Sequence, residues 1–178
     1  ILNTDTLNNI ENIKGSSFAD IIIGNDQQNT FYGYNDNDYL DGGKNNDELY
    51  GGDGNDILKG GEGNDSLDGG AGIDTVDYSD RTVNLVVDIA NGEHTIIASV
   101  SGIAAEVDTF TDIEGVIGGS GNDILTGNSG ANSLVGGKGN DILDGAGTSN
   151  ASDGSVTPAE YDYLDGGEGT DFVSYKNA

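Results

Sequence analysis

Apolar residues recur along the chain at intervals of nine, separated by glycine and polar residues. Residues 15 to 77 divide without a gap into seven nonapeptides that each begin with glycine and carry an apolar residue at the eighth place. The seven apolar residues are Ile22, Phe31, Leu40, Leu49, Leu58, Leu67 and Val76. A fixed period of this kind indicates a repeat architecture. We predict that each unit consists of a six-residue turn and a three-residue strand with one inward-facing side chain.

The sixth place of each unit holds an acid or its amide. In the first run these residues are Asp20, Asn29, Asp38, Asp47, Asp56, Asp65 and Asp74. A second run begins at Gly118 and repeats the pattern with Asp123, Asn132 and Asp141. An insertion at residues 148–160 interrupts this run before the pattern resumes at Asp162 and ends with a unit containing Asp171. Random placement at this composition would not produce two such runs.

A single unit cannot bury its apolar residue, so successive strands must coil and stack on one another. If two nonapeptides form one turn of the solenoid, units of odd and even number stack on opposite sides. Asp38, Asp56 and Asp74 would then form one row, with Asp47 and Asp65 in the other. The pattern therefore predicts an all-β solenoid with two rows of stacked carboxylates.

Residues 78–117 lack the nonapeptide but keep a strand-like pattern. Val83, Leu85, Val87 and Ile89 recur at every second position on one face and predict a longer strand. Asn91-Gly92 is a turn signal, and Ile96-Ile97 and residues 107–116 suggest further short strands. We expect one continuous solenoid, with a lead-in strand or cap at 1–14, a first roll at 15–77, a segment with wider loops at 78–117 and a second roll at 118–178. Two rolls joined by a linker are the alternative.

Composition adds a strong excess of negative charge. The 178 residues include 32 Asp and Glu but only 6 Lys and Arg, for a formal net charge of −26. Such a charge suggests that the chain needs a cation that its own residues do not supply. It also argues against nucleic acid and anionic membranes as partners. No apolar run is long enough to span a bilayer, and the absence of cysteine excludes disulfides and thiolate metal sites. Composition alone would also allow a disordered acidic chain.

The turn residues suggest which cation the chain would bind. Glycines at the first, second and fourth places allow positive φ, so carbonyl oxygens can point to a common centre, and Asn25 and Asn45 are the next-best substitutes. Carbonyl and carboxylate oxygens are the ligands that calcium prefers, whereas zinc or copper would favour His or Cys. Besides the sixth-position acids, Asp20 among them, the candidate ligands include first-position glycines and third-position acids, namely Gly42, Gly51, Gly60, Gly69, Gly136, Asp53 and Glu62.

The segments 51–59 and 60–68 resemble the RTX (repeats-in-toxin) calcium-binding nonapeptide, and the resemblance covers residues 15–77 and 118–174. It implies a right-handed parallel β-roll with several calcium ions between stacked Gly-Gly-x-Gly-x-Asp turns, each ion shared by repeats two apart. The implied ligands are Asp38, Asp47, Asp56, Asp65, Asp74, Asp123, Asp141, Asp162 and Asp171. The turns that begin at Gly15 and Gly24 lack the later glycines, and Asn29 and Asn132 replace the acid. We expect such turns to bind weakly or to cap the solenoid.

The resemblance also implies a function. We expect a monomeric calcium-binding module of a larger bacterial protein that leaves the cell by type I secretion, folds on calcium outside and acts as a spacer or secretion aid, not as an enzyme. The alternative is an interaction module of an adhesin or a polysaccharide-modifying enzyme that contacts carbohydrate or a cell surface. The lone His94 lies in a turn-like sequence, where a histidine is more often solvated than catalytic.

Overall fold

Short β-strands form all the regular secondary structure of the residues that the computed structural model describes, which are 9–90, 93–95, 106–146 and 161–174. In chain order the strands are β1 (Asn12–Lys14), β2 (Ile21–Ile23), β3 (Thr30–Asn35), β4 (Tyr39–Lys44), β5 (Glu48–Asp53), β6 (Ile57–Glu62), β7 (Ser66–Ala71), β8 (Thr75–Asp77), β9 (Val86–Asp88), β10 (Glu93–Thr95), β11 (Thr109–Thr111), β12 (Gly115–Ile117), β13 (Ile124–Thr126), β14 (Ser133–Val135), β15 (Ile142–Asp144), β16 (Tyr163–Asp165) and β17 (Phe172–Val173).

Successive strands of the repeats lie in alternate sheets, whereas β9, β10 and β11 all lie in the larger one. The larger sheet has the order β1-β3-β5-β7-β11-β10-β9-β13-β15-β17, and the smaller one has the order β16-β14-β12-β8-β6-β4-β2. Leu40 pairs with Leu58 and Leu49 pairs with Leu67, so parallel neighbours in the first run are two nonapeptides apart. This topology confirms the predicted parallel β-roll, in which two units complete one turn.

The hydrophobic core is a file of single residues between the two sheets. The eighth-position side chains from Phe31 to Val76 are at most 1% exposed, and the same position in β13, β14 and β15 is equally buried. Seventh-position residues face outward instead, as Ile57 does at 37% exposed. Full burial of a leucine stabilises a fold by about 1.5–3 kcal/mol, so each unit adds one modest increment to a thin core.

The predicted strand length of three residues is wrong for much of the first run. Strands β3 to β7 each extend over six residues, because the second and third positions of the following turn also pair with the same positions of a neighbouring turn. Tyr34 pairs with Gly52 and Gly43 pairs with Gly61 in this extension. The stacked turns therefore share the backbone ladder of the strands, which fixes their spacing.

Two first-run turns place residues other than glycine at positive φ. Asn45 has φ 68°, as its place in the pattern predicts, but Asn25 is not among the described residues with positive φ. Tyr34 and Asp36 stand at the second and fourth places of their turn with φ of 86° and 72°. Left-handed backbone is unfavourable for such side chains, so this turn is strained relative to one with glycine at both places.

The intervening segment differs from the predicted long strand. Strand β9 has only three residues, although Leu85, Val87 and Ile89 are all buried as the alternation predicts. The backbone of β10 pairs antiparallel with β9 and also with β11, so this part of the larger sheet departs from parallel pairing. Strand β9 itself pairs in parallel with β13.

Both sheets contain strands from both runs of repeats. Strand β7 pairs with β11 and β8 pairs with β12, so residues 109–117 stack directly on the first run. Strand β12 in turn pairs with β14 of the second run. These pairings are those that a continuous solenoid requires, whereas the domain division itself stays a prediction.

Some predicted features lie outside the described residues. These are residues 1–8 of the lead-in segment, the Asn91-Gly92 turn, the Ile96-Ile97 strand and the insertion at 148–160. Within the described part of the chain, no helix is long and apolar enough to cross a membrane.

Candidate metal centre

The sixth-position carboxylates are buried between stacked turns. Asp38, Asp56 and Asp74 form one row, in which Oδ1 of each upper residue accepts a hydrogen bond from the backbone N–H of the residue below at 2.7 Å. Asp47 and Asp65 form the other row, with the same contact at 2.9 Å. One oxygen of each upper carboxylate therefore ties one turn to the next.

The second oxygen of these carboxylates lacks a partner. Buried Oδ2 atoms without a hydrogen-bond donor belong to Asp38, Asp47, Asp56, Asp65, Asp74 and Asp141. A buried polar atom without a partner is costly, and a buried ionised carboxylate is costlier still. These oxygens therefore need either a proton or a cation.

Carbonyl oxygens surround the same spaces. A Cβ built on Gly51 would lie 2.6 Å from the carbonyl oxygen of Gly69 in the next turn, and closer still to Oδ2 of Asp56. The equivalent position on Gly136 lies 2.7 Å from the carbonyl oxygen of Gly166 and closer to Oδ2 of Asp141. Only glycine leaves room for an ion at this place, and the oxygens that face it are of the hard type that calcium takes.

The donor set fits calcium only if the backbone contributes. Among the described residues, no group of three or more His, Cys, Asp or Glu side chains converges on one point. An ion between two turns would therefore be held by sixth-position carboxylates together with carbonyl oxygens, which calcium accepts in its six to eight ligands.

Burial changes the proton affinity of these acids. It raises the pKa of Asp65 to about 7 and the pKa of Asp47 and Asp74 to about 6, although the N–H donated to each carboxylate acts in the opposite direction. Burial likewise raises the pKa of Asp38, Asp56, Asp123 and Asp141. Without a cation, these carboxylates therefore keep their protons to a higher pH than an exposed aspartate does.

In four turns the sixth-position side chain accepts a backbone N–H of its own turn, although Nδ2 of Asn29 stays without a partner. Oδ2 of Asp123 accepts the N–H of Gly119 at 2.9 Å, and Oδ2 of Asp20 accepts the N–H of Ser16 at 2.6 Å. Oδ1 of Asn29 and of Asn132 accepts the corresponding N–H of its own turn. Asp20 and Asp123 therefore have less need of a cation than the six acids with an unpartnered oxygen.

Asn132 also fills the space that its turn would offer to an ion. Its Nδ2 donates to the carbonyl oxygens of Gly130 at 2.6 Å and Asn128 at 3.1 Å, and lies 3.2 Å from Oδ1 of Asp162. A neutral amide thus takes up oxygens that face the centre of the turn. This contact gives a physical reason to expect weak binding at Asn132.

The remaining candidate residues form three groups that differ in burial. The first-position glycines Gly42, Gly51, Gly60, Gly69 and Gly136 are buried beside the acids of their turns. The side chains of Asp53 and Glu62 are exposed on the outside, so only their backbone remains a candidate. Asp162 and Asp171 are half-buried, and their Oδ1 atoms accept the N–H of Asn132 and Asp141 at 3.0 Å.

Fifth-position asparagines form a second ladder, which was not predicted from the sequence. Oδ1 of Asn37 accepts the N–H of Asn55 at 2.9 Å, and Oδ1 of Asn122 accepts the N–H of Asn140 at 2.8 Å. The signal was present, because asparagine stands at the fifth place of six units. A neutral amide makes this contact without adding charge beside the acidic rows.

Two further acids, one stacked on the end of each first-run row, were not predicted either. Oδ1 of Asp108 accepts the N–H of Asp65, and Oε2 of Glu114 accepts the N–H of Asp74, both at 2.9 Å. Residues 108–111 do repeat the order acid, polar, apolar, polar of a nonapeptide end. That signal was hidden because the turn before it lacks the glycines.

Comparison with known proteins agrees with this geometry. The family model of the RTX calcium-binding nonapeptide repeat matches the chain in four copies, at residues 14–49, 41–76, 117–150 and 159–175. No curated protein matches the chain. The four copies cover well over half of the sequence and include the turns with unpartnered carboxylate oxygens. The chain therefore belongs to the family of RTX calcium-binding nonapeptide repeats.

Proposed function

We propose that this calcium-binding module folds when it meets calcium outside a bacterial cell and serves as a spacer or secretion aid within a larger exported protein. The observation that carries the proposal is the set of six buried Oδ2 atoms without a donor. Each belongs to a carboxylate whose Oδ1 accepts a backbone N–H from the neighbouring turn. Folding thus buries oxygens that need a cation wherever the carboxylates stay ionised.

The charge balance supports a folding switch. At a strand spacing of about 4.8 Å, ionised carboxylates in one row repel each other strongly. The formal net charge of −26 adds repulsion over the whole chain. A ligand that binds only the folded state at a hundred times its dissociation constant stabilises that state by about 2.7 kcal/mol per site. Several such sites would decide whether the chain folds.

The difference in calcium concentration between the cytosol and the cell exterior would drive this folding switch. Calcium is scarce in the cytosol and abundant outside the cell, so the same chain would stay extended during secretion and fold after it. A thin file of single core residues is consistent with a fold that needs ions for stability. Such a roll would then separate or support other parts of the parent protein.

The tyrosine row of the larger sheet supports a structural rather than a sugar-binding surface. The rings of Tyr32 and Tyr50 stack with centroids 4.8 Å apart and planes within 5°. Tyr34 lies 6.2 Å from Tyr32, and Nζ of Lys14 lies 5.4 Å above the ring of Tyr32. These contacts occupy ring faces on which a sugar would otherwise stack.

Circular dichroism during a calcium titration tests the proposal, with magnesium as the control ion and a thermal melt at each end. We expect calcium alone to convert a coil-like spectrum to a β-rich one with a higher melting temperature. A chain that is already folded in chelator, or one that magnesium folds equally well, would contradict the proposal.

A further inference from the structure

One arginine lies where the first run of turns ends. The guanidinium of Arg81 donates a hydrogen bond from Nη2 to the carbonyl oxygen of Gly61, and its Nη1 lies 2.9 Å from Oε2 of Glu106. Only 14% of the arginine side chain is exposed, compared with 67% for Lys138 in its surface ion pair. Arg81 is thus a nearly buried cation in a chain that has few cations.

The acceptor of Arg81 belongs to a repeat turn. Gly61 is the second residue of the 60–65 turn, and the carbonyl of Gly43, at the same place one turn below, faces the turn stacked on it. The carbonyl of Gly61 therefore belongs to the set of second-position oxygens that point along the stack. Arg81 meets this oxygen from the side on which the next layer stacks.

The next layer supplies acids but lacks the consensus turn. Asp65 donates its N–H to Oδ1 of Asp108, and Val107 donates its N–H to Oδ1 of Asn64, both at 2.9 Å. Residues 107 and 108 thus continue the fifth-position and sixth-position ladders of the 60–65 turn. Glu106, the ion-pair partner of Arg81, immediately precedes them.

The second oxygen of Asp108 is also provided for. The hydroxyl of Tyr78, which is buried, donates to Oδ2 of Asp108 at 2.6 Å. The positive charge of Arg81 favours the ionised forms of both Asp65 and Asp108. Residues 78–81 therefore bring one hydroxyl donor and one positive charge to this layer.

We propose that the guanidinium of Arg81 takes the place of a calcium ion above the 60–65 turn, and so ends this row of ion sites with a cation of the protein itself. This inference rests on the proposed calcium loading of the turns below. It assigns Arg81 a role in determining how many ions the chain takes up. The charge of Arg81 offsets one of the two acids of this layer, and the Tyr78 hydroxyl supplies a donor to Oδ2 of the other, Asp108.

The test is the number of calcium ions bound per folded chain, measured by equilibrium dialysis with metal analysis, for the wild type, Arg81→Ala and Arg81→Lys. We expect Arg81→Ala to bind one more ion than the wild type, because the oxygens of Gly61 and Glu106 that Arg81 now contacts become available beside the unpartnered Oδ2 of Asp65. Arg81→Lys, which keeps the charge, should bind the wild-type number. Lys138→Gln, which also removes one positive charge but from an exposed pair, should leave the number unchanged.

The outcomes separate this inference from the proposed function. If the wild type binds no calcium, the proposed function fails. If the wild type binds calcium and Arg81→Ala binds the same number, only the inference about Arg81 fails. If Arg81→Ala does not fold at saturating calcium while Arg81→Lys does, calcium cannot stand in for the guanidinium and the inference is overturned.

Discussion

Asp56 uses its two carboxylate oxygens for different purposes. Oδ1 accepts the N–H of Asp38 from the turn below, whereas Oδ2 has no donor and faces the space beside Gly51. An amide at this place could keep the first contact but could not supply a negatively charged oxygen for the second. The two functions of this residue can therefore be separated by substitution.

We predict that Asp56→Asn raises the calcium midpoint for folding by about tenfold or more. A contact to a charged group contributes about 1.5–3 kcal/mol, and 1.4 kcal/mol corresponds to a factor of ten. Calcium titrations followed by circular dichroism measure the shift. Asp53→Asn is the matched control, because it removes an exposed charge from the same turn. Equal shifts for the two variants would mean that only overall charge matters.

Asn132→Asp should have the opposite effect on the second run. The substitution removes the Nδ2 donor that now occupies the carbonyls of Gly130 and Asn128, and it adds a charge near Asp162. We expect the variant to bind one additional calcium ion and to be less stable than the wild type in chelator. Isothermal titration calorimetry gives the number of sites.

The control for this variant is Asn140→Asp, which adds the same charge at an exposed fifth position. Its oxygen can still accept the N–H of Thr170, as Oδ1 of Asn140 does at 2.9 Å. An additional ion in Asn140→Asp, or none in Asn132→Asp, would contradict the assignment of the sixth position as the ligand place.

At the scale of single strands, each unit contributes one core side chain, and no second layer can compensate for its loss. Leu58→Ala should therefore destabilise the calcium-loaded roll by about 2–5 kcal/mol, the range found for buried leucine. Urea denaturation at saturating calcium measures this change. Ile57→Ala, next to it on the outward face of β6, should cost much less because Ile57 is 37% exposed.

The period of nine was enough to predict the strands of the repeats, the two sheets, the burial of the eighth position and the two rows of sixth-position acids. It did not predict the extension of β3 to β7, because pairing such as that of Gly43 with Gly61 depends on how closely turns approach. The antiparallel β10 could not be predicted either, since its place depends on contacts with β9 and β11 that no local pattern records.

The candidate metal centre likewise depends on contacts that the sequence pattern does not record. The pattern identifies which residue of each turn carries the carboxylate, but not which of its oxygens stays without a donor. Asp123 and Asp141 have the same place in the repeat, yet only Asp123 accepts the N–H of its own turn through Oδ2. That difference comes from the distances between neighbouring segments in the folded chain.

Over the whole molecule, the few cationic side chains neutralise only a small part of the charge. Lys59 lies 2.9 Å from Asp80 and 3.5 Å from Asp41, so one ammonium group serves two acids. The buried rows have no such partner for their Oδ2 atoms. Protons and calcium ions must therefore compete for the same oxygens.

This competition predicts how folding depends on pH. The pKa of Asp65 is raised to about 7 and the pKa of Asp47 and Asp74 to about 6 in the folded chain, above the usual value of 3.8 that holds after unfolding. Between about pH 4 and 7 the folded chain therefore binds more protons than the unfolded one. Stability without metal is present at the acid end of this window and is lost as the pH rises through it.

We accordingly expect the calcium-free chain to show more β-structure at pH 5 than at pH 7.5, and the calcium midpoint to be higher at pH 5 because protons occupy the ligands. Circular dichroism in calcium-free buffer and calcium titrations at both pH values measure the two effects. Asp65→Asn, which removes the acid with the highest of the three pKa values, should reduce the pH dependence of metal-free folding. If the calcium-free chain were instead more ordered at pH 7.5, the buried rows would have to be ionised and stabilised by a means other than protons or calcium.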